Sequence, residues 1–426
     1  MRPLLLAILL LPVLAAPAAV ADGIATAEPS VETPAMFDDE AGGNANGDDP
    51  AIWVHPSRPG KSIVIGTAKE GGLYVYNLAG AQVQHIPAPA APGPDDEVGR
   101  FNNVDLVEGF RLSNGSEVDL AVVSDRGRDH VRFYAVNPTK AAAGQPPLTD
   151  VTDPDVPFVF NSTQAEVNDA ATAYGLATWQ DRHGDYALVS RRHMTSVGLV
   201  KLAAKPGGKV GYSLVRTLSL PASFVLPNGS TWHPCEDPGE LAQVEGMVVD
   251  GERDVLYAAQ EDVGIWRMRA DLTGTPVLMD KTKEYGRQDT FDPATEECLP
   301  GPDPGYGGEH LAADAEGLTI YDSEDDGDGY LLASSQGDNT FAVYEREGDN
   351  DYLGQFRVGS AGGVDGVEVS DGSMVTGKSL GSAFPHGLFV AHDGVNTPAD
   401  GDREITNFKF VPWEEVAEPL DLDIVN

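Results

Sequence analysis

The chain has 426 residues and a formal charge of −39, with 28 Lys and Arg against 67 Asp and Glu. A field of that sign repels nucleic acid and anionic membranes and excludes both as partners. The length exceeds one ordinary domain but suits a closed all-β fold; part of the acid excess is a solvated surface, and the rest is available to converge on cations.

Residues 1–21 have the form of a signal peptide, with Arg2, an apolar run from Leu4 to Val13, and the small-residue site Ala19-Val20-Ala21. The apolar run is too short to span a bilayer comfortably. The mature protein is therefore expected to be exported, periplasmic or extracellular. Nothing in the sequence demands an oligomer, so a monomer is expected. Residues 22–47, rich in Pro, Ala, Gly and acids, read as an extended N-terminal arm, and residues 48–426 as the folded domain.

From Asp48 onward one pattern recurs: a strand start, an Asp/Gly turn, a short apolar run, a polar tip and a further strand. Copy one starts at Asp48-Asp49-Pro50-Ala51-Ile52-Trp53 and tips at Ala68-Lys69. Copy two starts at Asn103-Val104-Asp105-Leu106 and tips at Ser124-Asp125-Arg126. Copy three starts at Ala173-Tyr174-Gly175 and tips at Arg191-Arg192. Copies four and five start at Val244-Glu245-Gly246 and Ala315-Glu316-Gly317, with tips at Gln260-Glu261 and Ser334-Ser335-Gln336. Copy six is placed at Val364-Asp365-Gly366-Val367, with its tip at His392-Asp393. Short apolar runs between Asp/Gly turns are antiparallel strands. Six units of about four strands predict an all-β, six-bladed β-propeller.

In a propeller the strand starts and the tips lie round one end of the central axis. That brings together Asp48, Asp49, Asp105, Glu245, Glu261, Asp314, Glu316, Gln336, Asp365 and Asp393. Carboxylates at such close quarters cannot all stay ionised without cations. Oxygen donors with neither Cys nor a His pair favour Ca²⁺, several ions of it, over zinc. Lys69, Arg126 and Arg192 occupy the tips of the first three copies, beside Tyr174. Arginine forks onto phosphate oxygens, so the hub is expected to take a multiply phosphorylated substrate. Cys235 and Cys298 lack zinc-ligand spacing, and in an exported protein they are expected to pair as a disulfide.

Several stretches together resemble the β-propeller phytases: Asp48-Asp49-Pro50-Ala51-Ile52-Trp53, Asn102-Asn103-Val104-Asp105, Glu245-Gly246-Met247, Glu261-Asp262-Val263-Gly264-Ile265-Trp266, Glu316-Gly317-Leu318-Thr319-Ile320-Tyr321, Leu332-Ala333-Ser334-Ser335-Gln336-Gly337 and Asn407-Phe408-Lys409-Phe410-Val411-Pro412-Trp413. The resemblance runs from about Asp48 to Trp413. It implies a calcium-dependent 3-phytase-type phosphoric monoester hydrolase acting on phytate, myo-inositol hexakisphosphate. It places Asp49, Glu245, Glu261, Asp314, Glu316, Gln336 and Asp365 at calcium-site positions, and Lys69, Arg126, Tyr174 and Arg192 at phosphate-contacting ones. Glu245, Glu261, Glu316 and Asp365 are expected to be the catalytic carboxylates, holding calcium that activates a water for in-line attack. A neighbouring phosphate of the same substrate is expected to seat in the cationic pocket. Three departures stand out: Glu70 where a second lysine is common, Arg192-His193 in place of a Lys-Glu pair, and a shortened loop at Gly359 to Val364.

Two sharper-looking motifs carry nothing. Arg182-His183-Gly184 matches only the first half of the histidine acid phosphatase motif and reads as a hairpin turn. Asp322 to Asp328 looks like an EF-hand loop, but its twelfth position is Ala333 rather than Glu, and it too is read as a turn. The competing functions are a calcium-dependent lactonase or esterase, which needs no cationic cluster, and a non-catalytic binding propeller, which leaves the axial acids unexplained.

Overall fold

The computed structural model describes residues 23–295, 297–323 and 328–424. The predicted signal peptide lies outside the described residues, as do residues 324–327 of the predicted turn in copy five. Six antiparallel sheets follow one another along the chain as the blades of a propeller. Blade one is Pro50–Trp53, Ile63–Thr67, Leu73–Asn77 and Gln82–Ile86; blade two is Phe101–Arg111, Glu117–Asp125, His130–Val136 and Leu148–Asp150. Blade three is Ala173–Asp181, Gly184–Arg191, Ser196–Lys205 and Lys209–Ser219; blade four is Val244–Asp250, Val255–Gln260, Gly264–Arg269 and Val277–Lys281. Blade five is Ala315–Asp322, Gly329–Ser335, Thr340–Glu345 and Tyr352–Val358.

The second strand of each blade is buried on both faces, because neighbouring blades cover it. Ile63–Thr67 is buried throughout, whereas the outer strand Gln82–Ile86 meets solvent. Continuous Val, Ile and Leu runs are what a strand covered on both faces requires. Apolar side chains fill the gaps between blades. Leu188 and Val197 of blade three pack with Leu256 and Trp266 of blade four, and Trp413 stacks on Tyr321 at 4.1 Å between ring centres.

In blades two to five the register of the innermost strand slips at the same place, between Phe101 and Val104, Ala173 and Leu176, Val244 and Met247, and Ala315 and Leu318. A bulge of this kind re-aims a side chain. The re-aimed pairs are Asn102-Asn103, Tyr174-Gly175, Glu245-Gly246 and Glu316-Gly317. Glycine is required at the second place by close approach to the next blade: a Cβ on Gly175 would lie 2.0 Å from the Glu245 carbonyl oxygen, and one on Gly246 would lie 2.2 Å from that of Glu316.

Blade six corrects one sequence expectation. Its innermost strand is Ser373–Thr376, followed by Leu388–Asp393 and Ile405–Pro412, so it is preceded by Asp371-Gly372 rather than by Asp365. Val364 makes only an isolated bridge to Ala361. The fourth strand of this blade comes from the arm: Val31–Glu32 pairs antiparallel with Ile405–Pro412, as does Met36–Phe37. Ala25–Ala27 adds a parallel strand to the edge of blade five. Lys409 underpins the junction. It is fully buried, with its Nζ 2.8 Å from Glu32 and 3.2 Å from Asp393, and paired to Asp365. Cys235 and Cys298 are joined as a disulfide, 6.0 Å between Cα atoms, pinning the segment before blade four to the ribbon Thr290–Asp292 and Glu297–Leu299.

Candidate metal and phosphate site at the hub

The bulges turn Asn102, Tyr174, Glu245 and Glu316 towards the axis, and Asp48 and Asp371 complete the ring from blades one and six. Glu245, Glu261 and Glu316 each offer a carboxylate oxygen within 4.8 Å of the other two. Glu245 is the most tightly held. It accepts a hydrogen bond from Asn102 Nδ2 at 2.6 Å and another from the Tyr174 hydroxyl. Gln243 Nε2 donates to Glu261 at 3.1 Å, and Gln336 Nε2 donates to Asp371 at 2.8 Å. By contrast Asp48 Oδ1, Glu261 Oε1 and Glu316 Oε2 are buried with no hydrogen-bond partner among the described residues. Buried acceptors left bare are expensive and call for an explanation.

The electrostatics agree with the geometry. Burial, and then Glu245, pushes Asp48 and Glu316 well above the usual carboxylate range. Burial followed by Glu245 and Asp314 does the same to Glu261. Glu245 itself is raised by burial and by Asp371. Asp314 is raised to about 7 by burial and then by Asp262 and Glu245. Asp262 also faces Glu236, the residue after Cys235, which burial raises to about 7. This set of acids resists joint ionisation by itself, and its clustered oxygens could hold a cation.

On the other side stand the cations. Lys69 Nζ lies 3.5 Å from Asp371 and 4.0 Å from Asp48. Burial works against its charge, but Asp371 and Asp48 outweigh that and hold it above the usual lysine range. Arg126 donates to Asn102 Oδ1 at 2.9 Å, and its guanidinium lies 5.4 Å from the Tyr174 ring centre. Asn102 thus links Arg126 to Glu245. Arg126 and Arg192 also line a cavity of about 270 Å³ together with Arg100, Glu70 and Glu97.

Two sequence-predicted residues, Asp365 and Asp393, stand on the flank, and two more, Asp49 and Asp105, line a cavity walled by the innermost strands. Asp365 faces away from the ring, because Lys409 and the backbone N–H and hydroxyl of Thr397 occupy its carboxylate. Asp393 is buried beside the same lysine. Asp105 joins blade two to blade three, accepting from the Thr178 N–H at 2.7 Å and its hydroxyl at 2.9 Å. Asp49 occupies the place that glycine takes in later blades; its carboxylate accepts from Val104 N–H at 3.0 Å, which leaves Asp48 as the hub residue of blade one. Sequence reasoning missed Asn102, Arg100, His392 and Asp371. His392 is buried with its Nδ1 3.7 Å from Asp371, and burial lowers it to about 4, so it is neutral at pH 7.

A family model described as Phytase matches residues 3–193 and 304–425. The chain is 35% identical over 387 residues to a 3-phytase of Bacillus subtilis (strain 168), covering 90% of this chain and 83% of that one. Among solved structures, the periplasmic gluconolactonase PpgL of Pseudomonas aeruginosa aligns over 72% of this chain and 70% of its own, with 14% identity and a TM-score of 0.37. The RRP9 WD40 repeats align over 90% of this chain and 100% of theirs, with 12% identity and a TM-score of 0.41. At those scores neither bears on the chemistry.

Proposed function

The chain belongs to the phytase family and is a phytase-type hydrolase of phytate, and from that premise we propose that it works with calcium held by the hub carboxylates. The observation that carries this reading is the set of bare buried oxygens on Asp48, Glu261 and Glu316 around the Glu245, Glu261 and Glu316 cluster. Oxygen donors alone in the Glu245, Glu261 and Glu316 cluster suit a hard cation. Asp48, Glu245, Glu261, Glu316 and Asp371 would hold it, with Asp314 and Gln336 at the edge. When bound there, calcium supplies Lewis acidity that offsets phosphate charge and makes a water nucleophile available near neutral pH.

The chain's own residues do the rest. Tyr174 and Asn102 fix the orientation of Glu245, so the acid at the centre of the ring does not swing away. Lys69 neutralises Asp48 and Asp371 and presents its ammonium to the scissile phosphate, while Arg126 stabilises charge on the equatorial oxygens. Arg126 and Arg192 bracket the seat for a neighbouring phosphate, whose binding positions the scissile one. The protein is also proposed to be exported, on the strength of the Arg2 to Ala21 leader and of a disulfide that persists in oxidising surroundings.

The test is phosphate release from phytate by protein treated with EDTA. Activity is expected to vanish and to return on adding Ca²⁺ but not Na⁺ at equal ionic strength. Full-rate hydrolysis by the chelated protein would falsify the metal assignment.

A further inference from the structure

The cavity beside the hub is built differently from the ring, and its third cation is one that the sequence pattern did not single out. Arg100 immediately precedes blade two. Its backbone carbonyl accepts the N–H of Arg126 at 2.8 Å, so the two guanidiniums spring from hydrogen-bonded neighbours. Together with Arg192 they line the 270 Å³ cavity. Arg100 Nε and Arg126 Nε are buried and lack a hydrogen-bond partner among the described residues. Burial, and then the Arg126 charge, lowers Arg100 to about 10, while Arg192 is lowered by the same two causes in the same order. Three guanidiniums on one cavity, two of them with an idle Nε–H, form a seat for an anion that binds through several oxygens.

One carboxylate partly fills that role in the free protein. Glu70 Oε1 stands 3.5 Å from Arg100 NH1, and Glu97 lies on the same cavity wall. The pair is too long for a good hydrogen bond. It is a counter-ion contact that a stronger acceptor can displace.

We propose that Arg100 contacts the neighbouring phosphate of the substrate and that Glu70 is its resting counter-ion, displaced when that phosphate docks. This rests on the reading of the Arg126 and Arg192 cavity as the second phosphate seat. The consequence is a preference set by one residue pair: Arg100 rewards substrates with a second phosphate within reach of the hub, and Glu70 tempers that reward. A substrate with one phosphate has nothing to place in the cavity.

The experiment compares kcat/KM for phytate with kcat/KM for a single-phosphate ester, p-nitrophenyl phosphate, in the calcium-loaded full-length enzyme. In R100Q the ratio of the two is expected to fall about tenfold, chiefly through KM for phytate, and R100K is expected to recover part of it. In E70Q the ratio is expected to rise about threefold, and R100Q/E70Q should match R100Q. A purely structural defect scales both substrates alike, so an unmoved ratio in R100Q overturns the contact. A threefold rise from E70Q that persists in the R100Q background overturns the counter-ion role. R126Q and R192Q separate the two levels. If they lower the ratio while R100Q does not, only this inference falls, and if none of the three lowers it, the cavity is not the second seat.

Discussion

Asp371 and Asp365 are six positions apart, each followed by glycine, yet they do opposite work. Asp371 meets Lys69, Gln336 and His392 at the hub, while Asp365 is bound to a buried lysine on the flank. Asp371→Asn is therefore expected to lower phytate hydrolysis by about a hundredfold or more, in line with losing a preorganised charge at a reaction centre. Asp365→Asn is expected to spare most activity and to lower stability by about 2 kcal/mol, because Lys409 keeps Glu32 and Asp393 but loses one charged bond. Steady-state kinetics and urea melts on the two variants decide it; equal activity loss in both would contradict the assignment. The sequence could not separate them, because an acid-glycine pair ahead of apolar residues occurs at both places and only strand pairing chooses. Arg100 was hidden for a related reason. The N–H of a tip residue bonds the carbonyl of Arg100, Thr172, Gln243 and Asp314 in blades two to five, so Arg100 is the counterpart of Asp314. That equivalence is legible once the unit is aligned on its bulge instead of on its acids.

At the scale of strands and loops, the repeat was legible because its signal is dense: apolar runs buried on both faces, cut by Asp/Gly turns. The bulge was not, since the acid beside Gly246 or Gly317 reads equally well as a turn cap. For want of it, Asp49 and Asp105, which line the axial cavity further along their strands, could not be told from the ring residues. The disulfide belongs to this scale as well. It closes a loop spanning a sequence separation of 63 residues, which in the chain-entropy model stabilises the fold by roughly 4 kcal/mol. Paired Cys235→Ser and Cys298→Ser changes are expected to lower unfolding stability by about that much. Guanidinium titrations with and without reductant provide the check, and indifference to reductant would show that the link is idle. The same link holds Glu236 against Asp262, two residues before blade four's third strand at Gly264–Arg269.

Across the whole molecule, most acids are solvated, and the few at the hub set the response to pH. Asp314 and Glu236 are raised to about 7, against an ordinary value near 4. In metal-free protein the folded state therefore binds more protons than the unfolded chain between those limits, so their contribution is present at low pH and is lost as pH rises towards and through 7. The melting temperature of chelated protein is expected to fall from pH 5 to pH 8, and calcium, which favours the ionised carboxylates, is expected to flatten or reverse that slope. Parallel melts with EDTA and with Ca²⁺ measure it; identical slopes would mean that the hub acids do not carry the cation.

The arm gives the ring its clasp: Val31–Glu32 and Met36–Phe37 lie along Ile405–Pro412. Synthesis therefore delivers one half of the fastener at the outset and the other nearly four hundred residues later. Until the second half emerges, blades one and six have no fixed distance between them, and Asp48 cannot meet Asp371 across the seam. Ring closure and site assembly are thus a single late event, and a chain stopped short of residue 405 would carry most of the acids with no place to gather them.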